Sequence, residues 1–218
     1  MAYGETLKKL SPCGSGAVLE TLLSACPAPR ALLDAGCGRG ERLADFRAVM
    51  PETRLCGIDS DAENAAAARA NCPDAEIVTG DVCALPWPDA LFDAALCECT
   101  LSLLPEPGKC LRELRRALRP GGVLLLSDLC AAADGAGREK LSPCGVVRWL
   151  AGRDWHVNAA ALAGFRLLAE RDCREELLTM AAEMIFSGGD ACVGAEVFAA
   201  LRQRKAGYRM WSFERSAE

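Results

Sequence analysis

The chain has one histidine, His156, and no apolar run near the roughly 20 residues that a bilayer-spanning helix needs, VLLL at 123–126 being among the longest. No membrane span is expected. A secretory pattern is missing too. The two lysines in MAYGETLKKLSPCGSG precede neither an apolar stretch nor a small-residue cleavage site, which predicts a cytoplasmic protein. Positive charge is in the minority: 25 Lys and Arg against 30 Asp and Glu leave a net charge of -5. Nucleic-acid binding rests on clustered Lys and Arg, so nucleic acid is not an expected partner. The basic run Lys109, Arg112, Arg115, Arg116 and Arg119 reads as the solvated face of a helix. No CxxC pairs with a second at zinc spacing, the nearest approach being Cys97-Glu98-Cys99, and no metal site is expected. Thirteen cysteines, an odd number without a secretory signal, predict reduced thiols and not a disulfide framework.

What the sequence does contain is enough apolar material for one core: 218 residues, 51% hydrophobic and 25% charged. One α/β domain over 1–218 is the natural count, with a core at 28–128, an insertion or lid at 129–155 and closing strands and helices at 156–218. From residue 30 onward short apolar runs alternate with longer helical patterns, the signature of βαβ units and a mostly parallel sheet. Strands are predicted near 30–34, 54–58, 76–79, 93–98, 123–128, 165–171 and 208–213. Helices are predicted near 16–25, 41–49, 61–70, 108–118, 155–163, 174–185 and 191–205. SDAE at 60–63 reads as a capping box opened by Ser60. Pro51 and Cys72-Pro73 end helices, and PGG at 120–122 makes a turn into VLLLSD.

The chemistry concentrates in ALLDAGCGRGERL at 31–43, a strand, a glycine turn and a helix start, where the backbone can pass close beneath a ligand. A dinucleotide site wants GxGxxG with pyrophosphate on the helix N-terminus. Here Gly36, Gly38 and Gly40 are spaced GxGxG, and the position that would complete the other motif is Glu41. Around the predicted carboxyl edge lie Asp34, Glu41, Asp59, Asp81 and Glu98, with Arg39 the nearby cation in sequence. Such an edge repels phosphate and attracts the sulfonium of S-adenosylmethionine. Asp59, 19 residues after Gly40, can accept both ribose hydroxyls. Asp81 can take the adenine amino group while the Val82 N–H reaches a ring nitrogen. A helix cap or turn former is the competing role for each acid.

LLDAGCGRG, GIDSD, GDVCALPWPDALFDAAL and LRELRRALRPGGVLLLSD, in this order over 31–128, resemble the core of class I S-adenosylmethionine-dependent methyltransferases, the group that includes ubiquinone- and menaquinone-biosynthesis enzymes. LAGFRLLAERD at 162–172 and GYRMWSF at 207–213 resemble that family's last two strands, which pair antiparallel. The resemblance implies an α/β, Rossmann-like, doubly wound, seven-stranded and mostly parallel sheet with an antiparallel edge strand. It also implies in-line transfer of a methyl group from S-adenosylmethionine to a small-molecule acceptor. The cofactor is expected against Asp34, Gly36, Cys37, Gly38, Gly40, Asp59, Ser60, Asp81, Val82 and Cys97. Arg39 departs from the family, which favours a small residue there.

Methyl transfer from a sulfonium needs little acid–base help when the nucleophile is aligned. For an acceptor that must lose a proton, Glu98, Cys99 and His156 are the candidate catalytic groups, with a surface or capping role the alternative for His156. Cys130, Cys144 and Trp149 are expected to face the substrate. Cys97 and Cys99, two apart on a strand, would present two thiols on one face. Soft thiols suit soft acceptors, a weak similarity to arsenite methyltransferases, while Cys26, Cys56, Cys110, Cys173 and Cys192 favour cysteine as an apolar filler. Trp87, Trp149 and Trp155 suit an acceptor pocket or core packing. Two other readings stay open: a non-catalytic S-adenosylmethionine-binding partner protein and a nicotinamide-dependent oxidoreductase, the latter disfavoured by Glu41.

Overall fold

The computed structural model describes residues 12–131, 135, 137–140, 149–186 and 206–217. Strands β1 (Ala31–Ala35), β2 (Arg54–Asp59), β3 (Glu76–Thr79), β4 (Phe92–Glu98) and β5 (Leu118–Ala131) pair in parallel in the order β3-β2-β1-β4-β5. β9 (Ala206–Arg215) runs antiparallel along β5, and β8 (Phe165–Asp172) runs antiparallel along β9. These are the seven expected strands, with the last two closing one edge as the resemblance implies.

Among the described residues the sheet has nine strands, two more than expected. The additions fall in the segment read as an insertion. β6 (Arg138–Lys140) pairs antiparallel with β7 (Trp149–Gly152), and β7 pairs in parallel with Cys130 and Ala131 of β5. Because β9 holds the other edge of those two residues, β7 occupies the β4 side of β5, just beyond the point where β4 stops. The hairpin therefore stands over the carboxyl end of the sheet. The predicted helix at 191–205 and Cys144 and Cys192 lie outside the described residues.

Helices α1 (Ser15–Ala25), α2 (Glu41–Val49), α3 (Ala62–Asn71) and α6 (Arg174–Phe186) pack on one face, joining Leu22, Phe46 and Leu177 to Leu32, Leu96 and Leu125. Helices α4 (Pro107–Ala117) and α5 (Arg153–Leu162) cover the other, joining Leu114 and Ala160 to Leu33, Ala95 and Leu124. Neighbouring strand residues divide between the two layers, so central strands buried on both faces read as continuous apolar runs. β1 is buried at all five positions. In α4 the buried Pro107, Cys110, Leu111, Leu114 and Ala117 recur at helical spacing, with proline in the first turn where no N–H is missed. No described helix is long and apolar enough to cross a membrane.

Three local expectations change. The cap of α3 is Asp61, not Ser60: its Oδ1 accepts the N–H groups of Glu63 at 2.8 Å and Asn64 at 3.3 Å, one residue further on. The PGG turn belongs to β5, which starts at Leu118 opposite Phe92 and shifts register before Val123. The basic run is not all solvated. Arg116 bonds Glu113, Asp89 and the carbonyls of Leu85 and Trp87, while Arg119 reaches Asp93 at 2.6 Å. Asp93 is buried at the amino end of β4, where Oδ2 accepts the N–H groups of Arg30 at 2.7 Å and Ala31 at 2.9 Å.

Candidate active site

The sheet order reverses between β2 and β4, both of which flank β1, and a crevice opens outside the carboxyl ends of β1 and β4 at such a point. The glycine turn sits there. Gly36, Gly38 and Gly40 have φ of 83°, 53° and 77°, left-handed values that a side chain disfavours. Gly36 and Cys37 donate their N–H groups to Ile58 O at 2.8 and 3.0 Å, tying the turn to β2. A Cβ on Gly36 would overlap the buried Thr100 Oγ1, and one on Gly40 would come within 2.9 Å of Ala68, where α3 crosses behind. Gly38 is different: nothing lies within 4 Å of where its Cβ would stand, so its surface is open for a ligand.

Asp59 ends β2 with both oxygens engaged by backbone. Oδ2 accepts Gly38 N–H and Oδ1 accepts Asp61 N–H, each at 2.9 Å, which fixes the carboxylate against the turn and leaves lone pairs for further donors. Asp81 is exposed after β3 and accepts Cys83 N–H at 2.8 Å, a turn-forming contact; the Val82 side chain is buried beneath it, and Ser60 is exposed beside Asp59. Asp34 is 3% exposed, and its pKa is pushed up to about 8, by burial above all and by Glu98 and Asp59, against the opposing pull of Arg42. With Asp34 holding its proton near neutral pH, two carboxylates, Asp59 and Glu98, stand against the one cation Arg42. A cation entering the crevice would be stabilised.

Arg42, in the first turn of α2, holds Glu98 by its Nε at 2.7 Å and hydrogen-bonds the carbonyl of Cys13. Ser127 Oγ reaches the other Glu98 oxygen at 3.3 Å, Tyr208 OH donates to Ser127 Oγ at 2.9 Å, and Cys99 Sγ lies 3.2 Å from Tyr208 OH. One polar chain thus links α2, β4, β5 and β9 beneath the crevice. Cys99 takes φ of 48°, its N–H still bonded to Ser127 O at 2.8 Å, where β4 turns into the 3-10 turn Leu101–Leu103. That twist breaks the strand alternation. Cys97 points into the layer of α4, where Cys110 hydrogen-bonds it, while Cys99 packs into the opposite layer with Tyr208. The pair therefore does not present two thiols on one face. Burial above all raises the Cys99 pKa well above that of a free thiol; Cys97 is raised well above it too, by the Cys110 contact first and burial second.

The remaining expected residues are placed as follows. Cys37 is buried against the site where a Cβ on Gly57 would stand, with its thiol raised by burial and by Asp34 and Asp59. Cys130 is buried on the α5 layer, where burial pushes its thiol up to about 11. At Trp149 the Arg138 guanidinium lies over the ring at 4.7 Å and over Trp155 at 5.0 Å, and Arg138 also donates to Leu104 O at 2.6 Å. Trp87 is core, edge-on to Phe92 at 5.6 Å with Nε1–H donated to Glu76 at 2.9 Å. His156 is not a surface residue. It is 1% exposed, stacked on Trp211 at 4.7 Å and edge-on to Trp155 at 5.2 Å, and burial lowers its pKa to about 4.

That burial has a measurable consequence. The folded pKa lies below the 6.5 of a free imidazole, so the unfolded chain takes the proton first as pH falls. His156 contributes its full stability above pH 6.5 and loses it toward pH 4. Relative to His156→Phe, which keeps the ring stack, the wild type is expected to lose about 3 kcal/mol between pH 7 and pH 4, at about 1.4 kcal/mol per unit. Parallel urea titration curves for the two proteins would overturn this.

The family described as "Methyltransferase domain" matches residues 33–126, the span from β1 through β5 that builds this crevice. Over this span, under half of the chain, the protein is similar to S-adenosylmethionine-dependent methyltransferase domains. A fatty-acid O-methyltransferase of Mycolicibacterium smegmatis is 28% identical over 191 residues, which are 86% of this chain and 68% of that protein. A probable S-adenosylmethionine-dependent methyltransferase of the same organism is 37% identical over 110 residues, 50% of this chain and 42% of that protein. The chain spans 33–39% of the length of three further curated relatives. Among solved structures, geranyl diphosphate C-methyltransferase from Streptomyces coelicolor A3(2) superposes with a TM-score of 0.75 at 15% identity, over 92% of this chain and 77% of that one. The cyclase SpnF superposes with a TM-score of 0.73 at 21% identity, over 93% and 83%.

Within this span, sequence reasoning missed Arg42, the cation paired with Glu98. Arg39 stood closer to the glycines in sequence, but it is Arg42, on the helix turn facing β4, that reaches Glu98. Its position in the first turn of a helix that begins at the glycine motif was the available signal.

Proposed function

We propose that this chain is a methyltransferase that binds S-adenosylmethionine along the carboxyl edge of its sheet and methylates a small molecule. The observation that carries the proposal is the charge of the crevice: the carboxylates of Asp59 and Glu98 lie at the open glycine turn, Arg42 is paired with Glu98, and the buried Asp34 holds its proton near neutral pH. A pyrophosphate would meet repulsion there, whereas a ligand bearing a sulfonium and an ammonium relieves it. The open face of Gly38 and the fixed carboxylate of Asp59 fit the adenosine moiety in the same way. When bound, S-adenosylmethionine supplies an electrophilic methyl group.

The chain's own residues then bind, orient and shield. Asp59 accepts the ribose hydroxyls, Asp81 and Val82 border the adenine, and Gly38 lets the backbone approach. Glu98, held by Arg42 and Ser127, is the carboxylate at the acceptor side. The β6–β7 hairpin, fastened by Arg138 to Leu104 O, bounds that side and limits water. His156 serves packing in this reading, since it is buried between the Trp155 and Trp211 rings and neutral at physiological pH. An aligned acceptor supplies most of the rate. Carboxylic acids join phenols, quinols, thiols and arsenite in the panel to test, because one relative acts on fatty acids.

Calorimetry with adenosylhomocysteine, S-adenosylmethionine and NAD tests the proposal, with binding of the first two and none of the third expected. Asp59→Ala is expected to weaken adenosylhomocysteine by about 10–100-fold, the ~1–3 kcal/mol of hydrogen bonds to a charged acceptor, with its melting temperature little changed. Affinity equal to wild type would remove Asp59 from the site. Methyl turnover with any acceptor separates an enzyme from a protein that only holds the cofactor, a distinction the shared fold does not make.

A further inference from the structure

S-adenosylmethionine carries an α-carboxylate beside its two positive groups, and the crevice is a poor place for that anion. Asp59 and Glu98 stand there as carboxylates, and Arg42 is committed: its Nε holds Glu98 at 2.7 Å, and its guanidinium also bonds the Cys13 carbonyl. A further carboxylate would be repelled unless another cation met it.

Arg39 stands at the turn itself, between Gly38, whose face is open, and Gly40. Its backbone is fixed. Asn71 Nδ2 donates to the Arg39 carbonyl at 2.9 Å, and Gly40 N–H closes the turn on Cys37 O at 2.9 Å. Its side chain is not tied down in the same way. The residue is half-buried, yet among the described residues its guanidinium makes no hydrogen bond, ion pair or ring contact. The arginines before and after it in sequence, Arg30 and Arg42, are each paired with a carboxylate. Arg39 also precedes Gly40, the N-cap of α2, where the helix dipole disfavours positive charge. Neither an ion pair nor the helix accounts for an arginine at this position, whereas an incoming anion does.

Resting on the reading of the crevice as an S-adenosylmethionine site, we propose that Arg39 receives the α-carboxylate of the cofactor and so selects it over analogues that lack this group. A guanidinium presents two parallel N–H donors to the two oxygens of a carboxylate, a match in shape as well as in charge. The amino-acid end of the cofactor then spans the charge pattern of the site, its ammonium toward the acids and its carboxylate toward Arg39. Discrimination follows from the same pairing. A ligand without the carboxylate leaves Arg39 as it stands in the free protein and gains nothing from it.

Calorimetry on the full chain tests this with two ligands that differ in one group. Adenosylhomocysteine is compared with 5′-deoxy-5′-(3-aminopropylthio)adenosine, which keeps the adenosine, the sulfur and the amine and lacks the carboxylate. Wild type is expected to bind the first about tenfold more tightly, the scale of a charged hydrogen-bonded pair. Arg39→Gln should weaken the first about tenfold and change the second by less than about twofold, which abolishes the preference. Arg39→Lys, a point charge without the planar fork, should fall between the two proteins. Since Arg39 has no contact to lose, the melting temperature of Arg39→Gln should match that of wild type. Adenosylhomocysteine bound by Arg39→Gln as tightly as by wild type would sink the role of Arg39 and leave the S-adenosylmethionine reading standing. Equal losses for the two ligands would also sink it, because Arg39 would then shape the turn without reading the carboxylate. A wild type that bound neither ligand would bring down the S-adenosylmethionine reading itself, and this proposal with it.

Discussion

Gly36→Ala is expected to cost about 2–5 kcal/mol of stability and to abolish adenosylhomocysteine binding. Two independent penalties add. At φ of 83° an alanine is forced into left-handed backbone, worth about 1–2 kcal/mol. Its Cβ would also overlap Thr100 Oγ1 and stand 3.1 Å from Cγ2, an overpacking term of about 1–3 kcal/mol. Thr100 cannot swing aside freely, because the same hydroxyl bonds Glu98 O at 2.8 Å and Ala35 O at 3.3 Å inside the core. The turn must therefore move, and with it the Gly38 N–H that fixes Asp59. A fall in melting temperature on the order of 5–15 °C is the stability readout. Adding Thr100→Ala should recover the overlap term and leave the backbone term, so the double variant melts above the single. A Gly36→Ala protein with wild-type melting and binding would show that the close approach to Thr100 is not obligatory.

The β1 to α2 unit was legible because its cues are local. Five consecutive buried residues read as an apolar run, three glycines follow, and a helical pattern begins at once. The positions of the central strands and of Asp59 at the end of β2 followed from the same kind of cue, and the antiparallel closing pair from the family resemblance. β6 and β7 were not legible, since REK and WLAG are three and four residues long and carry neither alternation nor a turn signature. Arg42 and Glu98 are 56 residues apart, and only the sheet order brings them together. Cys97 and Cys99 were misplaced for a different reason. The two-residue period holds only while the strand lasts, and a left-handed φ at Cys99 ends it one residue too soon. His156 shows how little a lone residue type reveals: Trp155 adjoins it in sequence, but its stacking partner Trp211 arrives from β9, near the other end of the chain. The motif that contains Asp93 was read for its resemblance alone, and nothing in it announced a buried hub.

That hub gives the sharpest contrast with the cofactor site. Asp93→Ala is expected to cost about 3–5 kcal/mol, the range for removing one partner from a buried charged network. Its loss would strand the N–H groups of Arg30 and Ala31 and leave the Arg119 guanidinium without its 2.6 Å partner. Arg119 is half exposed and can turn to water, so most of the cost falls on the two N–H groups and on the joint between β1 and β4 that they pin. A melting temperature lower on the order of 10 °C should follow. Yet Asp93 sits at the amino end of β4 and Asp59 at the carboxyl end of β2, on opposite rims of one sheet. At a temperature where the variant remains folded, its affinity for adenosylhomocysteine should stay within about twofold of wild type, whereas Asp59→Ala should lose affinity and keep its melting point. Differential scanning fluorimetry and calorimetry on the two variants separate the roles. A tenfold loss of affinity in Asp93→Ala would mean that the joint at the bottom of the sheet positions the crevice at the top, and the division between an acid that builds and an acid that binds would fail.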